Sequence, residues 1–207
     1  MTQTATLNFR SETSLTLKLN DINFYCQYSK SENGQNIIAY HDGDPFAGIG
    51  GHRKKGKGFY FIIKNQELVH VGQVERPNDG KIANNGSFII NDWLFDSGTK
   101  SIAYAFDANG EIIFKKKLSA NLLNNAISAS GNFALFKTCN SNSSDHSVLL
   151  LVDLQLKNLV WKKHFGFRNP DWYTILDNQL IKLHYKDSPT VVLDWDTKHS
   201  GYENNAS

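Results

Sequence analysis

Short apolar runs alternate along the chain with clusters of glycine, asparagine, aspartate and serine. Apolar runs that are rich in β-branched and aromatic residues, and that end at such turn-forming residues, predict β-strands. Three consecutive strand-like runs recur after about 45 residues, a period typical of propeller blades. The first set lies at 84–90, 101–107 and 111–117, and the second set lies at 129–136, 147–153 and 158–164.

Each repeat is predicted to form four strands, with Asn-Gly hairpin turns such as 107–110 between them. The four predicted blades span residues 20–75, 78–118, 122–165 and 171–197 of a single domain, 1–207. The last blade lacks an apolar fourth strand, since residues 198–207 are polar. We therefore expect the N-terminal strand 14–19 to complete the last blade and close the ring, which would remove exposed sheet edges.

In this layout the chain resembles β-propeller repeat proteins with WD-repeat or quinoprotein-like blades, over nearly its whole length. The resemblance is one of architecture, because the Gly-His and Trp-Asp signatures of WD repeats are absent, and only residues 152–153 and 193–196 lie near the corresponding strand end. It implies an all-β fold, a small β-propeller of about four four-stranded blades, and transfers no catalytic residue. The alternative fold is a β-sandwich with a similar number of strands.

Composition narrows the class of function only a little. Apolar residues make up 40% and charged residues 20%, as in ordinary folded domains. The net charge is only +2, so binding of a polyanion would need a local basic cluster. No apolar run has the length of a membrane span, and the first residues lack the pattern of a secretory signal. Two distant cysteines, Cys26 and Cys139, could pair in an exported protein, but without a signal they favour a cytoplasmic protein with free thiols.

The longest predicted connection between strands, residues 41–58, is rich in glycine and basic residues. In a propeller, such a second-to-third connection shares a face with the links between blades. Glycines let main-chain N–H groups approach phosphate oxygens and basic side chains supply charge, so residues 48–58 predict an anion site. Its candidate residues are His52, Arg53, Lys54, Lys55 and Lys57. The alternative is a solvated hairpin tip, since the spacing matches no phosphate-binding fingerprint.

Four further residues on the same predicted face are candidate contacts for a partner. Trp93 and Phe95 belong to the second-to-third loop of blade 2, whereas Arg168 and Trp172 belong to the link before blade 4. Exposed tryptophan and arginine side chains dominate the energetics of protein interfaces. The alternative for the aromatic rings is packing in the core.

Two groups of metal-capable side chains lie in the same loops, at 41–44 and at 145–146. They could bind a divalent ion or act in acid–base chemistry. Neither group has the spacing of a calcium loop or a zinc site, so no metal site and no cofactor are predicted. The lysine clusters 115–117 and 162–163 recur at one place in the repeat, where lysines on exposed outer strands discourage pairing with another chain.

The leading prediction is a non-catalytic binding module, a scaffold for another protein, that uses the face bearing the 41–58 loop. It rests on the absence of a recognisable nucleophile set, metal motif or cofactor fingerprint in the sequence. The alternative is binding of nucleic acid or another polyanion through residues 48–58. A hydrolase with carboxylates at the mouth of the ring, from Asp42, Asp44 and Asp171, is the third hypothesis. No membrane association is expected, and association of several copies stays open.

Overall fold

The computed structural model describes residues 5–43, 56–95, 98–165, 168–195 and 199–203. These residues form eighteen β-strands and no helix. In chain order the strands are β1 (Ala5–Phe9), β2 (Ser14–Leu19), β3 (Ile22–Lys30), β4 (Asn36–His41), β5 (Gly58–Lys64), β6 (Glu67–Val74), β7 (Pro77–Ile82), β8 (Phe88–Trp93), β9 (Ser101–Phe106), β10 (Ile112–Leu118), β11 (Leu122–Ile127), β12 (Phe133–Thr138), β13 (Val148–Asp153), β14 (Asn158–His164), β15 (Trp172–Leu176), β16 (Leu180–Tyr185), β17 (Ser188–Asp194) and β18 (His199–Glu203).

The strands form four antiparallel sheets, each built from strands that are consecutive in the chain. Sheet 1 contains β1 to β6, sheet 2 β7 to β10, sheet 3 β11 to β14 and sheet 4 β15 to β18. The first strand of each later sheet contacts the sheet before it, with β7 against β4, β11 against β8 and β15 against β11. The predicted all-β class and small propeller are therefore confirmed. The four blades are β3–β6, β7–β10, β11–β14 and β15–β18, and β1 and β2 are additional strands of sheet 1.

Three clusters of buried apolar side chains join neighbouring blades, because many central strands are apolar on both faces. Successive residues of a strand point to opposite faces, so Ile90 of β8 packs toward blade 1 and Ile89 toward blade 3. The main members are Ile38, Phe88 and Ile90 between blades 1 and 2, Ile89, Phe136 and Leu150 between blades 2 and 3, and Leu151, Ile175 and Ile181 between blades 3 and 4.

A fourth apolar cluster covers the face of blade 1 that points away from blade 2. Strand β3 is shared, since its residues 22–27 pair with β2 and its residues 27–30 pair with β4. The N-terminal cap, which consists of β1, β2 and the first half of β3, folds over the outer face of blade 1. Leu15 and Leu17 of the cap are buried there together with Phe61 and Ile63 of blade 1.

The predicted closure of the ring by strand 14–19 is wrong. This strand is β2, which pairs with β1 and β3, and β18 supplies the fourth strand of blade 4. The leucines of β2 are needed to cover Phe61 and Ile63, whereas an outermost strand such as β18 is held by main-chain hydrogen bonds and can be polar. Among the described residues, no buried apolar cluster joins blade 4 to blade 1.

The turn between the first and second strands is repeated from blade to blade. In blades 2 and 3, the N–H groups of Gly86 and Gly131 donate to the carbonyl oxygens of Ala83 and Ser128, at 3.1 and 2.9 Å. The two glycines have φ angles of +89° and +79°, a region that side chains rarely adopt. In blade 4 the turn is shorter, residues 177–179, and contains a non-glycine residue at positive φ, Gln179 with a φ of +68°.

Replacing Gln179 by glycine is expected to raise the free energy of unfolding by about 1 kcal/mol, because the strain of a Cβ atom at positive φ is removed. Chemical denaturation of the two proteins measures the difference. The neighbouring Asn178→Gly variant is the control, since residue 178 has no positive φ and gains nothing from glycine. Equal stability of parent and Gln179→Gly protein would contradict the expectation.

Candidate functional site

One end of the blades carries the links between them, of which residues 75–76, 119–121, 165 and 168–171 are described, and is called the link face below. Three carboxylates hold main-chain N–H groups at this face. Asp92 Oδ1 accepts from Arg76 at 2.6 Å, Asp145 Oδ2 from Ser119 at 2.6 Å, and Asp171 Oδ2 from Lys186 at 2.8 Å. Charged acceptors make such bonds short and strong. The three carboxylates therefore fix the loops and links of the link face.

Asp92 lies at the end of β8 and is only 2% exposed. Burial raises the pKa of its carboxyl to about 6, against the opposing effect of main-chain hydrogen bonds from Arg76 and Glu75. The negative charges of Glu75 and Asp42 raise this pKa further. At neutral pH Asp92 is therefore still mostly ionised, but its charge costs more free energy in the folded protein than in water.

Two of the three carboxylates considered for a hydrolase lie in the described residues, and both bind groups of the protein itself. Asp42 pairs with Arg76, whose Nε lies 3.2 Å from Asp42 Oδ2, and Asp171 binds the N–H of Lys186. Asp44 lies outside the described residues. The arrangement of Asp42 and Asp171 therefore stabilises the loops rather than presenting paired carboxylates to a substrate.

The two groups of metal-capable residues also have protein partners. The His41 ring Nδ1 is hydrogen-bonded to Tyr25 O at 2.8 Å. Asp145 accepts from the hydroxyl and N–H of Ser119 and from Lys162 Nζ. Burial would raise the pKa of Asp145, but these hydrogen bonds outweigh it and lower the pKa. Within the described ranges, no group of three histidine, cysteine or acidic residues could hold a metal ion.

Trp93 and Phe95 are half-buried at the link face. The Trp93 indole N–H donates to Leu122 O at 2.9 Å, which ties the end of β8 to the start of β11. The Phe95 ring lies 5.2 Å from the Arg76 guanidinium, a cation–π contact. Both side chains are engaged in contacts between neighbouring segments of the chain.

The basic residues predicted to bind anions lie for the most part outside the described residues. His52, Arg53, Lys54 and Lys55 fall in the gap between 43 and 56. Lys57 is described and exposed, just before β5. The structure therefore gives no geometry for the predicted anion site beyond the position of Lys57.

Trp172 is half-exposed, and its indole has a fixed orientation. Its ring stacks almost parallel on the His184 ring, with centroids 5.0 Å apart and 8° between the planes. The His184 ring is hydrogen-bonded in turn to Thr174 Oγ1, at 2.9 Å from Nε2. Close by, the Arg168 guanidinium lies over the Tyr185 ring, and the Tyr185 hydroxyl donates to Arg168 O. The His184 ring thus supports the indole of Trp172, and the Tyr185 ring supports the exposed guanidinium of Arg168.

A cleft of about 540 Å³ lies between the first strands of the four blades. It is called the central cleft and is lined by Lys30, Glu32, Lys81, Ile82, residues 125–129 and residues 172–177. Hydrogen bonds between successive turns hold its rim opposite the link face. They join Asn33 N–H to Asn84 Oδ1 at 2.9 Å, Asn84 N–H to Ala129 O at 3.0 Å, and Ser130 Oγ to Asp177 Oδ1 at 2.7 Å.

The central cleft is the feature that sequence reasoning missed. Trp172 lines it, but the sequence-based prediction concerned the loops of the link face and not the first strands of the blades. A signal was present in residues 124–129, where two asparagines, two alanines and a serine occupy the end of β11 and the start of the turn after it, in place of larger apolar side chains. Small and polar residues on an innermost strand leave space beside it.

No helix among the described residues has the length and hydropathy needed to cross a membrane.

The sequence matches no protein-family model and no curated protein. In structure it is similar to Saccharomyces cerevisiae Sqt1, with a TM-score of 0.55 and 10% identity over 97% of this chain and 63% of Sqt1. It is similar also to the Dos1 propeller, with a TM-score of 0.54 and 13% identity over 99% of this chain and 59% of that one. The chain thus spans less than two thirds of the length of either protein. At this identity the likeness establishes the fold alone, a β-propeller.

Proposed function

We propose that this chain is a non-catalytic binding module for another protein, and that Trp172 on the link face is its principal contact residue. The observation that carries the proposal is the exposed indole: 49% of Trp172 is accessible although its ring is held in place by His184. Tryptophan is the residue type most enriched among interface hot spots.

The support beneath Trp172 favours binding energetically. Ordering a mobile side chain costs about 0.5–1.5 kcal/mol on association. The His184 ring, anchored by Thr174, already restricts the indole in the free protein. Arg168, which is exposed and lies over Tyr185, adds a guanidinium of the kind that is also enriched in hot spots.

The link-face carboxylates support a binding role over a catalytic one. Asp42, Asp92, Asp145 and Asp171 are each engaged with a neighbouring loop or link. A hydrolytic pair would need two carboxylates directed at a common substrate position.

We place the protein in the cytoplasm as part of the same proposal. Cys26 and Cys139 are both free thiols, as expected in a reducing compartment. Burial raises the pKa of the Cys26 thiol to about 12, so this side chain behaves as a small apolar group of the cap rather than as a nucleophile.

Replacing Trp172 by alanine is expected to weaken binding of the partner by at least tenfold, which corresponds to about 1.4 kcal/mol. The measurement is affinity capture from a lysate of the native host, followed by identification of the captured protein and titration with the purified partner. Tyr25→Ala is the matched control, because Tyr25 is a 70% exposed aromatic residue of the N-terminal cap, in a different sheet from Trp172.

The affinity capture is carried out with and without nuclease. Light scattering of each variant measures self-association. A protein that is captured equally by the parent and the Trp172→Ala variant would contradict the assigned contact. Recovery of nucleic acid alone, with affinity that falls steeply as salt rises, would replace the proposal by polyanion binding through residues 48–58.

A further inference from the structure

The central cleft exposes the edges of strands rather than their faces. Its lining includes every residue of β15, Trp172–Leu176, and five consecutive residues of 125–129. Along a strand, successive side chains point to opposite faces, so a single face would contribute only alternate residues. Since β11 and β15 each pair with one neighbour only, their unpaired edges lie beside the cleft.

An unpaired strand edge offers main-chain donors and acceptors. In an antiparallel pair about half of the N–H and C=O groups of an edge strand point away from its partner, ready to pair with a further strand. The five residues of β15 have the length of a typical strand in a globular protein. The volume of the cleft, about 540 Å³, is in the range of ligand-binding clefts.

Two buried polar side chains in the lining lack a partner in the described structure. The amide N and O of Asn125 and the hydroxyl of Tyr173 are shielded from solvent and make no hydrogen bond. Asn125 is 4% exposed and Tyr173 6% exposed. A buried unsatisfied polar group costs free energy, so these two side chains make the wall of the central cleft less stable than a fully hydrogen-bonded one.

The charges of the lining are mixed. Lys30 and Lys81 are basic, whereas Glu32 and Asp177 are acidic. Lys81 Nζ lies 2.6 Å from Asp79 Oδ1, and Asp177 accepts a hydrogen bond from Ser130. A lining with balanced charges gives a polyanion no electrostatic advantage and suits a polypeptide with few charges.

We propose that the central cleft binds an extended segment of a partner polypeptide, which adds as a strand along the free edge of β15 and packs an apolar side chain against Trp172. The proposal rests on the protein-binding function above and names the mode of recognition. Main-chain pairing to an exposed sheet edge gives affinity, and alternate side chains of the added strand give specificity.

The test uses the full chain and a displayed library of unstructured peptides as the probe. Selected peptides are synthesised and titrated, and hydrogen exchange is measured with and without peptide. We expect protection of the main-chain amides of Trp172–Leu176. The Ala129→Trp variant, which fills the cleft from a half-buried position in its lining, is expected to lower peptide affinity at least tenfold. Ala108→Trp is the matched control, because Ala108 is an exposed turn residue outside the cleft.

Several outcomes would overturn the cleft as the binding site. Peptide affinity unchanged in Ala129→Trp, or protection confined to link-face residues outside β15, would place peptide recognition elsewhere and leave the binding function intact. A partner whose capture depends on Trp172, together with failure of every peptide to bind, would show recognition of a folded surface instead. Loss of both partner capture and peptide binding would remove the proposed function as well.

Discussion

A Leu17→Ala substitution is expected to lower the free energy of unfolding by about 3 kcal/mol, within the range for a buried leucine. Leu17 is completely buried in the cluster that the N-terminal cap forms with blade 1. Its truncation leaves a cavity against Phe61 and Ile63, and the paired strands on both sides limit how far the site can collapse. Urea denaturation followed by circular dichroism measures the loss.

The neighbouring Lys18→Ala variant is the control, because Lys18 makes only a surface ion pair with Asp21. Its expected effect is below about 0.5 kcal/mol. Deleting residues 1–19 extends the test, since it uncovers the apolar face of blade 1. Hydrogen exchange should then accelerate in β4 and β5. Acceleration confined to β15–β18 would contradict the pairing of β2 with β3 and favour ring closure by the N-terminal strand.

An Asp92→Asn substitution is expected to raise the free energy of unfolding at pH 7 by about 2 kcal/mol. The pKa of Asp92 is about 6 in the folded protein, against 3.8 for an unperturbed aspartate. Each pKa unit corresponds to about 1.4 kcal/mol, so charging this buried group costs at most about 3 kcal/mol. Asparagine removes the charge and keeps an oxygen that can accept the Arg76 N–H.

The sign of the pH dependence follows from the direction of this shift. The folded state binds a proton to Asp92 more tightly than the unfolded state, so the parent gains stability from this group as pH falls from 7 toward 4. The advantage of Asp92→Asn should therefore shrink across this window and vanish below about pH 4. Thermal unfolding from pH 4 to pH 8 follows the difference. Asp21→Asn, which replaces a fully exposed carboxylate, is the control variant. A stability difference between parent and Asp92→Asn that stays constant across this range would refute the raised pKa of Asp92.

The sequence pattern predicted blades 2 and 3 well because their strands carry a strong and repeated signal. Residues 88–90 and 134–136 are apolar without interruption, since each strand packs against a blade on both sides. Gly86 and Gly131 occupy equivalent turns with positive φ, which a sequence marks clearly. Local patterns of this kind depend on neighbours along the chain and are therefore visible without a structure.

Strand pairing was less predictable, because it depends on which apolar face lacks a cover. The alternation of Leu15, Leu17 and Leu19 fits any half-buried strand, and only the structure shows that blade 1 is what it covers. The sequence-based prediction also missed β18. Its residues are polar, and the strand pairs with β17 through main-chain hydrogen bonds.

The candidate site was predicted only in part. Trp172 was predicted as a partner contact from its residue type and loop position, and this role stays a prediction, although the structure shows the side chain exposed and stacked on His184. The indole N–H of Trp93, by contrast, is committed to Leu122 O, a contact between residues that no spacing rule connects. The central cleft arises where four separate first strands converge, so no single segment of sequence reveals it.

The order of the strands also has a consequence for synthesis on the ribosome. Every sheet is built from consecutive strands, and blade 1 receives its apolar cover from residues that precede it in the chain. The first sheet can therefore assemble with its outer face shielded before residues 77–203 have been made, and each later blade can dock on a completed neighbour. If strand 14–19 closed the ring instead, it would have no pairing partner until residues 172–194 had been synthesised. The aromatic side chains of blade 1 would stay exposed during that time. Nascent-chain lengths that end after β6 should accordingly show protease resistance in residues 5–43 and 56–74.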